Sequence, residues 1–228
     1  MTQNTNHHPM PWSYRAVVFD LDGILVDTEP IFEEAARRQL SRRGLVWEPV
    51  VAKAMMGTPA RQAFEFFRRH YNLTEPITDL MTESSELFYA VLGQEPAALM
   101  PGVHSFLERL EKKRVPKAIA TSSSGPYVER VLAPHRLICR FDFILTCDDV
   151  HLGKPHPEVY VKAAGRFGLA PSELVVIEDS IHGVEAAKTA GARCIAVPHD
   201  RVRAEDLAGA DVIVPSLDAA ELPRLLGI

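Results

Sequence analysis

Residues 14–30 read YRAVVFDLDGILVDTEP. Ala16, Val17, Val18 and Phe19 form a short apolar run, the pattern of a strand buried in a parallel sheet. The run stops at Asp20, and a second carboxylate, Asp22, follows after one leucine, with a glycine next. Crowding or burying carboxylates is costly unless a cation or hydrogen-bond donors compensate them. The rest of the chain must therefore supply whatever compensates Asp20 and Asp22.

Beyond residue 98, strand and helix alternate. PGVHSFLERLEKKR opens a helix, with Val103, Phe106, Leu107 and Leu110 at helical spacing. PKAIATS, FDFILT, LVVIED, CIAVP and DVIVP then read as strands, separated by helices at 126–133, 157–167 and 181–190 and followed by a closing helix. Such alternation predicts a parallel sheet covered by helices on both faces. From Glu29 to about Gln94 the pattern is helical only. Ala60, Ala63, Phe64 and Phe67 fall at i, i+3, i+4 and i+7, and residues 78–92 behave alike. The expectation is an α/β chain: a Rossmann-like parallel core formed by 14–28 and 98–228, an inserted α-helical cap at 29–97, and a mobile tail at 1–13.

The whole chain fits this frame. Its 228 residues suit one large domain or a core with an insertion. With 46% hydrophobic and 24% charged residues the composition is that of an ordinary soluble globular protein. The net charge of −5 and pI of about 6.0 give no basic footprint for nucleic acid or an anionic membrane. No apolar run approaches the ~18 residues of a membrane span. The opening MTQNTNHHPMPWS has neither the basic nor the apolar region of a signal peptide. Cys139, Cys147 and Cys194 form no CxxC pair and no zinc pattern. Two of them, Cys147 and Cys194, sit in strand-like runs, so buried free thiols and a reducing, cytoplasmic setting are expected.

In an open parallel sheet, ligands bind beyond the carboxyl ends of the strands. The first strand delivers Asp20 and Asp22 there. AIATSSSG delivers Thr121, Ser122 and Ser123, hydroxyls before a glycine and a helix start. LVVIEDS delivers Glu178 and Asp179, and HLGKPHPE holds Lys154 between Gly153 and Pro155. Singly, each has a plain reading as a cap, a polar loop or a surface charge. Jointly they suit phosphoryl transfer to a carboxylate. An anionic nucleophile meeting a phosphate is repelled by about 5 kcal/mol per charge pair at contact, for an effective dielectric of about 20. Magnesium held by carboxylates, together with a fixed lysine, would offset that repulsion. Hydroxyls and N–H groups at a helix start would hold the remaining phosphate oxygens.

The segments DLDGILVDTEP, ATSSSG, GKPHPE and IEDSIHGVEAAKTAG resemble the four motifs of the haloacid dehalogenase-like superfamily. The helical insertion resembles the cap of its β-phosphoglucomutase-like branch. The resemblance implies that Asp20 is the nucleophile and Asp22 the general acid and base. It implies that Thr121, Ser122 and Lys154 bind the transferring phosphoryl group. It further implies that Glu178, Asp179, Asp20 and the backbone carbonyl of Asp22 hold Mg²⁺. Branches that cleave carbon–halogen bonds lack the second Asp, so a dehalogenase is disfavoured. MGTPARQ (56–62) resembles a substrate-facing cap loop, in which Arg61 would reach substrate; His182 follows the metal carboxylates closely enough to approach it.

The expected activity is hydrolysis of a small phosphorylated metabolite, a sugar phosphate or a nucleotide-derived phosphate, with neither nucleic acid nor membrane as partner. A hexose-phosphate mutase is the alternative. It is weakened by Phe32, which stands where the mutase pattern carries a cap-linker histidine and can neither donate nor accept a proton. A receiver-like signalling domain also combines acidic residues, a hydroxyl and a lysine. There the lysine comes last, whereas here Glu178 and Asp179 follow Lys154. Oligomeric state leaves no readable mark in the sequence.

Overall fold

The structure is a computed structural model that describes residues 12–55, 60–199 and 202–228. Its centre is a six-stranded sheet, every neighbouring pair parallel. The strands in chain order are β1 (Ala16–Phe19), β4 (Lys117–Ala120), β5 (Phe143–Leu145), β6 (Leu174–Glu178), β7 (Arg193–Ala196) and β8 (Val212–Ile213). Across the sheet they run β5-β4-β1-β6-β7-β8, which puts β1 between β4 and β6 at the centre.

Alternation along β1 divides the core. Val17 and Phe19 face one layer with helices α5 (Val103–Lys112), α6 (Gly125–Leu132) and α9 (Glu221–Leu226). Ala16 and Val18 face the other, with α7 (Glu158–Phe167) and α8 (Ile181–Ala190). All four residues of β1 have no exposed surface, which explains the unbroken apolar run.

Between β1 and α5 the described residues form four helices: α1 (Glu29–Ser41), α2 (Pro49–Met55), α3 (Ala60–His70) and α4 (Ile77–Leu92). Leu40 of α1, Val51 of α2 and Phe67 of α3 meet Tyr71 in a small core of their own, whereas Leu87, Phe88, Val91 and Leu92 of α4 join the main core. Helix α1 also packs along α4, and its Gln39 donates from Nε2 to the Leu80 carbonyl at 2.8 Å. The chain enters and leaves this unit through a two-stranded antiparallel ribbon, β2 (Val26–Asp27) with β3 (Ala98–Leu99). Two residues per strand are too few to show alternation, so the sequence gives no sign of the ribbon.

Three details differ from expectation. Cys194 is buried in β7, but Cys147 is exposed, as is Cys139. Strand β5 ends at Leu145, and Cys147 begins a single 3₁₀ turn capped by Thr146. The apolar run therefore overstates the strand by its last residues. Trp12, assigned to the tail, is tied to the core: its N–H donates to the Leu225 carbonyl at 2.8 Å, and Arg193 lies over its ring. Residues 1–11 are outside the described residues. Among those described, no helix is long and apolar enough to cross a membrane.

Candidate active site

Strands β1, β4 and β6 are adjacent and parallel, so their carboxyl ends open on one edge. Asp20 leaves β1 with its N–H bonded to the Ile177 carbonyl of β6. Lys154 comes in from the loop before α7. Its Nζ donates to Asp20 Oδ1 at 2.6 Å, to Glu178 Oε1 at 2.6 Å and to the Ala120 carbonyl at 3.0 Å. One ammonium thus joins the ends of three strands. Burial opposes its charge, yet the Asp20 and Glu178 carboxylates hold its pKa above the ordinary lysine range.

Glu178 has no exposed surface and is saturated with donors. Besides Lys154, Tyr160 of α7 donates to Oε1 at 2.5 Å. On Oε2 converge the Ser180 hydroxyl at 3.1 Å and the N–H groups of Asp179 and Ser180. Ser180 also caps α8 by accepting from the Gly183 N–H at 3.0 Å. The first turn of that helix lies so close to Glu178 that a β-carbon at Gly183 would overlap the carboxylate. A glycine within a helix ordinarily costs stability; here, in the first turn, it makes room for a buried charge.

Asp179 points to the other side, where His199 Nε2 lies 3.3 Å from its Oδ2. Burial raises its pKa to about 6 against the opposing pull of His199. Burial likewise raises that of Asp20 well above the usual carboxylate value, with Lys154 opposing and Glu178 and Asp179 adding to the rise. Carboxylate oxygens of Asp20, Glu178 and Asp179 all lie within 4.8 Å of one another. This is an all-oxygen donor set of the kind hard divalent cations take. Gly23, at φ +74°, completes the cradle, because a β-carbon there would overlap Asp179.

Asp22 lies in a cage of hydroxyls. Thr28 and Tyr127 donate to its Oδ1 at 2.7 and 2.6 Å, and Ser123 donates to Oδ2 at 3.0 Å. The Ser123 N–H in turn donates to Thr121 Oγ1 at 3.0 Å, so the Asp22 cage and the hydroxyl loop after β4 are one network. Thr121 is buried and Ser122 is exposed.

The structure therefore brings Asp20, Asp22, Thr121, Lys154, Glu178 and Asp179 to one edge. His182 is half-buried in the first turn of α8. Arg61 is exposed and 3.5 Å from Glu65, and residues 56–59 of the cap loop lie outside the described residues. A cavity of about 620 Å³ flanks the site beneath the ribbon, lined among others by Asp22, Thr28, Asp179, His199 and Met100. Tyr127, Tyr160 and His199 were not expected from the sequence. Each lies on a helix or beyond a strand end where a polar group raises no flag; only His199, directly after the CIAVP strand, follows the strand-end rule.

A family model described as haloacid dehalogenase-like hydrolase matches residues 17–197, which spans β1 through β7. The chain belongs to the haloacid dehalogenase-like hydrolases. Its relatives in this family include validoxylamine A 7′-phosphate phosphatase of Streptomyces hygroscopicus subsp. limoneus, 34% identical over 93% of this chain and 98% of that one. Hexitol phosphatase A of Escherichia coli is 33% identical over 90% and 92% of the two chains. Among solved structures, a Thermotoga maritima protein assigned as a β-phosphoglucomutase is 32% identical, with a TM-score of 0.77 over 92% of this chain and 96% of that one. Within the haloacid dehalogenase-like hydrolases the chain falls in the β-phosphoglucomutase-like branch, as the motifs led one to expect.

Proposed function

We propose that the chain is a Mg²⁺-dependent phosphatase that hydrolyses a small phosphate monoester through an aspartyl-phosphate on Asp20. The observation that carries this is the pairing of Asp20 with Lys154 at 2.6 Å, beside a second aspartate held in a hydroxyl cage. Asp20 would attack phosphorus, with Lys154 and the Thr121 hydroxyl holding the transferring oxygens and Ser122 at the rim of the loop. Asp22 would protonate the leaving oxygen and then take a proton from the attacking water. Asp20, Asp179 and the Asp22 carbonyl would hold the metal, with Glu178 joining them by giving up one of the donors it now accepts from; when bound, it would neutralise charge on the phosphoryl oxygens and on the carboxylates. Glu178 has a second task in this scheme, fixing the Lys154 ammonium against Asp20.

Phosphatase relatives named for validoxylamine A 7′-phosphate and for hexitols support a small polyhydroxylated substrate. A cytoplasmic setting fits such a metabolite. Arg61 and His182 remain candidates for contact with its hydroxyls. Phe32 argues against mutase chemistry: its ring packs against that of Phe88, centroids 4.3 Å apart, and offers no proton. The experiment is phosphate release from a panel of monoesters with Mg²⁺, including sorbitol 6-phosphate, glucose 6-phosphate, ribose 5-phosphate, phenyl phosphate and 4-nitrophenyl phosphate. Release from at least one ester, with no interconversion of β-glucose 1-phosphate and glucose 6-phosphate, is expected. Rapid interconversion primed by the 1,6-bisphosphate, without net phosphate release, would replace hydrolysis by mutase chemistry.

A further inference from the structure

Tyr127 lies on α6, in the core, and its hydroxyl reaches Asp22 Oδ1 at 2.6 Å. Its ring faces the other way, toward the helical insertion. It stacks on Phe88 of α4, centroids 5.4 Å apart and planes 25° apart, and Phe32 of α1 lies beyond at 6.5 Å and 21°. One turn further along α6, Arg130 sits over the Tyr89 ring of α4 at 4.3 Å. A single face of one core helix thus meets the aromatic residues of both long cap helices. Tyr127 alone on that face also touches the carboxylate at the sheet edge.

Counting lone pairs shows what this contact does. A carboxylate oxygen has lone pairs for two short hydrogen bonds. Oδ1 of Asp22 receives two, from Thr28 and Tyr127, and is full. Oδ2 receives one, from Ser123, and among the described residues keeps one acceptor position open. Burial, with the Asp22 charge adding, pushes the Tyr127 phenol far above its usual value, so it stays a donor.

We infer that Tyr127 is a positioning residue: it anchors Oδ1 of Asp22, aims Oδ2 at the reacting oxygen, and keeps that aim only while the cap aromatics hold its ring. The inference rests on the phosphatase reading above. A badly aimed acid matters in proportion to how much the leaving group needs a proton. An alkoxide needs one, phenolate less so, and 4-nitrophenolate departs readily without. Tyr127 therefore affects esters unequally, which a residue that merely supports the fold would not.

The test compares kcat/KM for sorbitol 6-phosphate, phenyl phosphate and 4-nitrophenyl phosphate in the wild type, Tyr127→Phe and Phe88→Ala. Tyr127→Phe keeps the stack and removes only the hydroxyl. It should lower kcat/KM about tenfold for sorbitol 6-phosphate, less for phenyl phosphate and under about twofold for 4-nitrophenyl phosphate, since one well-placed hydrogen bond to a charged group is worth roughly a factor of ten. Phe88→Ala keeps the hydroxyl and should reproduce the same ordering. Equal losses on all three esters, or no loss, in Tyr127→Phe would overturn the inference and leave the phosphatase reading standing. The ordering in Tyr127→Phe but not in Phe88→Ala would overturn the dependence on the cap. A wild type inactive on every ester would instead remove the phosphatase reading, and the inference with it.

Discussion

Glu178 is the residue on which the site is built, because a fully buried carboxylate persists only with its charge met on every side. Lys154, Tyr160 and Ser180 meet it through side chains and two backbone N–H groups complete the set. The space they occupy depends on Gly183. Gly183→Ala should therefore destabilise the protein by about 2–3 kcal/mol, the ordinary cost of forcing an extra group into a packed interior. It should also reduce turnover, because displacing Glu178 releases Lys154 from Asp20. Urea unfolding and a rate measurement on the same preparation check both; an unchanged midpoint would mean that α8 does not press on Glu178.

At the scale of elements, what could be read in the sequence follows from where each signal comes. Strands β1, β4 and β6 are legible because they are buried on both faces, and their polar ends stand out against apolar runs. The amphipathic helices are legible for the same reason, with α8 running from Ile181 to Ala190 as the spacing predicts. The ribbon β2–β3 is not, since its two-residue strands carry no period. Ser123 and Tyr127 reach Asp22 across 101 and 105 residues of chain, a proximity that only the β1–β4 pairing creates. The sequence therefore discloses which groups arrive at the edge better than which groups hold them.

The cap has its own electrostatic tie, at Arg43. Its guanidinium reaches Glu75 at 2.9 Å and Glu83 at 2.7 Å, and it donates to the Gln39 carbonyl at 2.7 Å. Hydrogen bonds with Glu83 and Glu75 raise its pKa against the opposing effect of burial. This joins the end of α1 to α4 and to the loop that precedes it. Arg43→Ala should lower stability by about 1–2 kcal/mol, given the partial solvent screening of these pairs. kcat/KM for 4-nitrophenyl phosphate should stay within about twofold, because among the described residues no hydrogen bond links Arg43 to the sheet edge. A collapse of turnover with unchanged stability would contradict a purely structural tie.

For the molecule as a whole, pH and the proposed metal would act on the same carboxylates. Burial raises the pKa of Asp179 to about 6 in the folded chain, above its value of 3.8 when free. The folded state then binds a proton more readily than the unfolded one, so this group favours folding at low pH. Its contribution is lost as pH rises from about 4 through about 6. A cation held by the cluster competes with that proton and restores what is lost. The rise in Tm on adding Mg²⁺ should accordingly be small at pH 5 and larger at pH 7, and EDTA should reverse it together with activity. An equal rise at both pH values would place metal binding somewhere other than this cluster. Two observations that sequence could not supply, the proximity of His199 to Asp179 and the mutual distances of the three carboxylates, make this a statement about one site rather than about composition.

Covalent chemistry at Asp20 is tested most directly by finding where the phosphoryl group goes. Asp22→Asn removes the group that would activate water, so an intermediate on Asp20 should survive long enough to be trapped. The variant is incubated with Mg²⁺ and the best ester of the panel, quenched in acid, digested and examined by mass spectrometry. One phosphoryl group should be found on Asp20, and none when Asp20→Asn is combined with Asp22→Asn. Phosphate carried by any other residue, or rapid turnover that survives Asp20→Asn, would contradict the account.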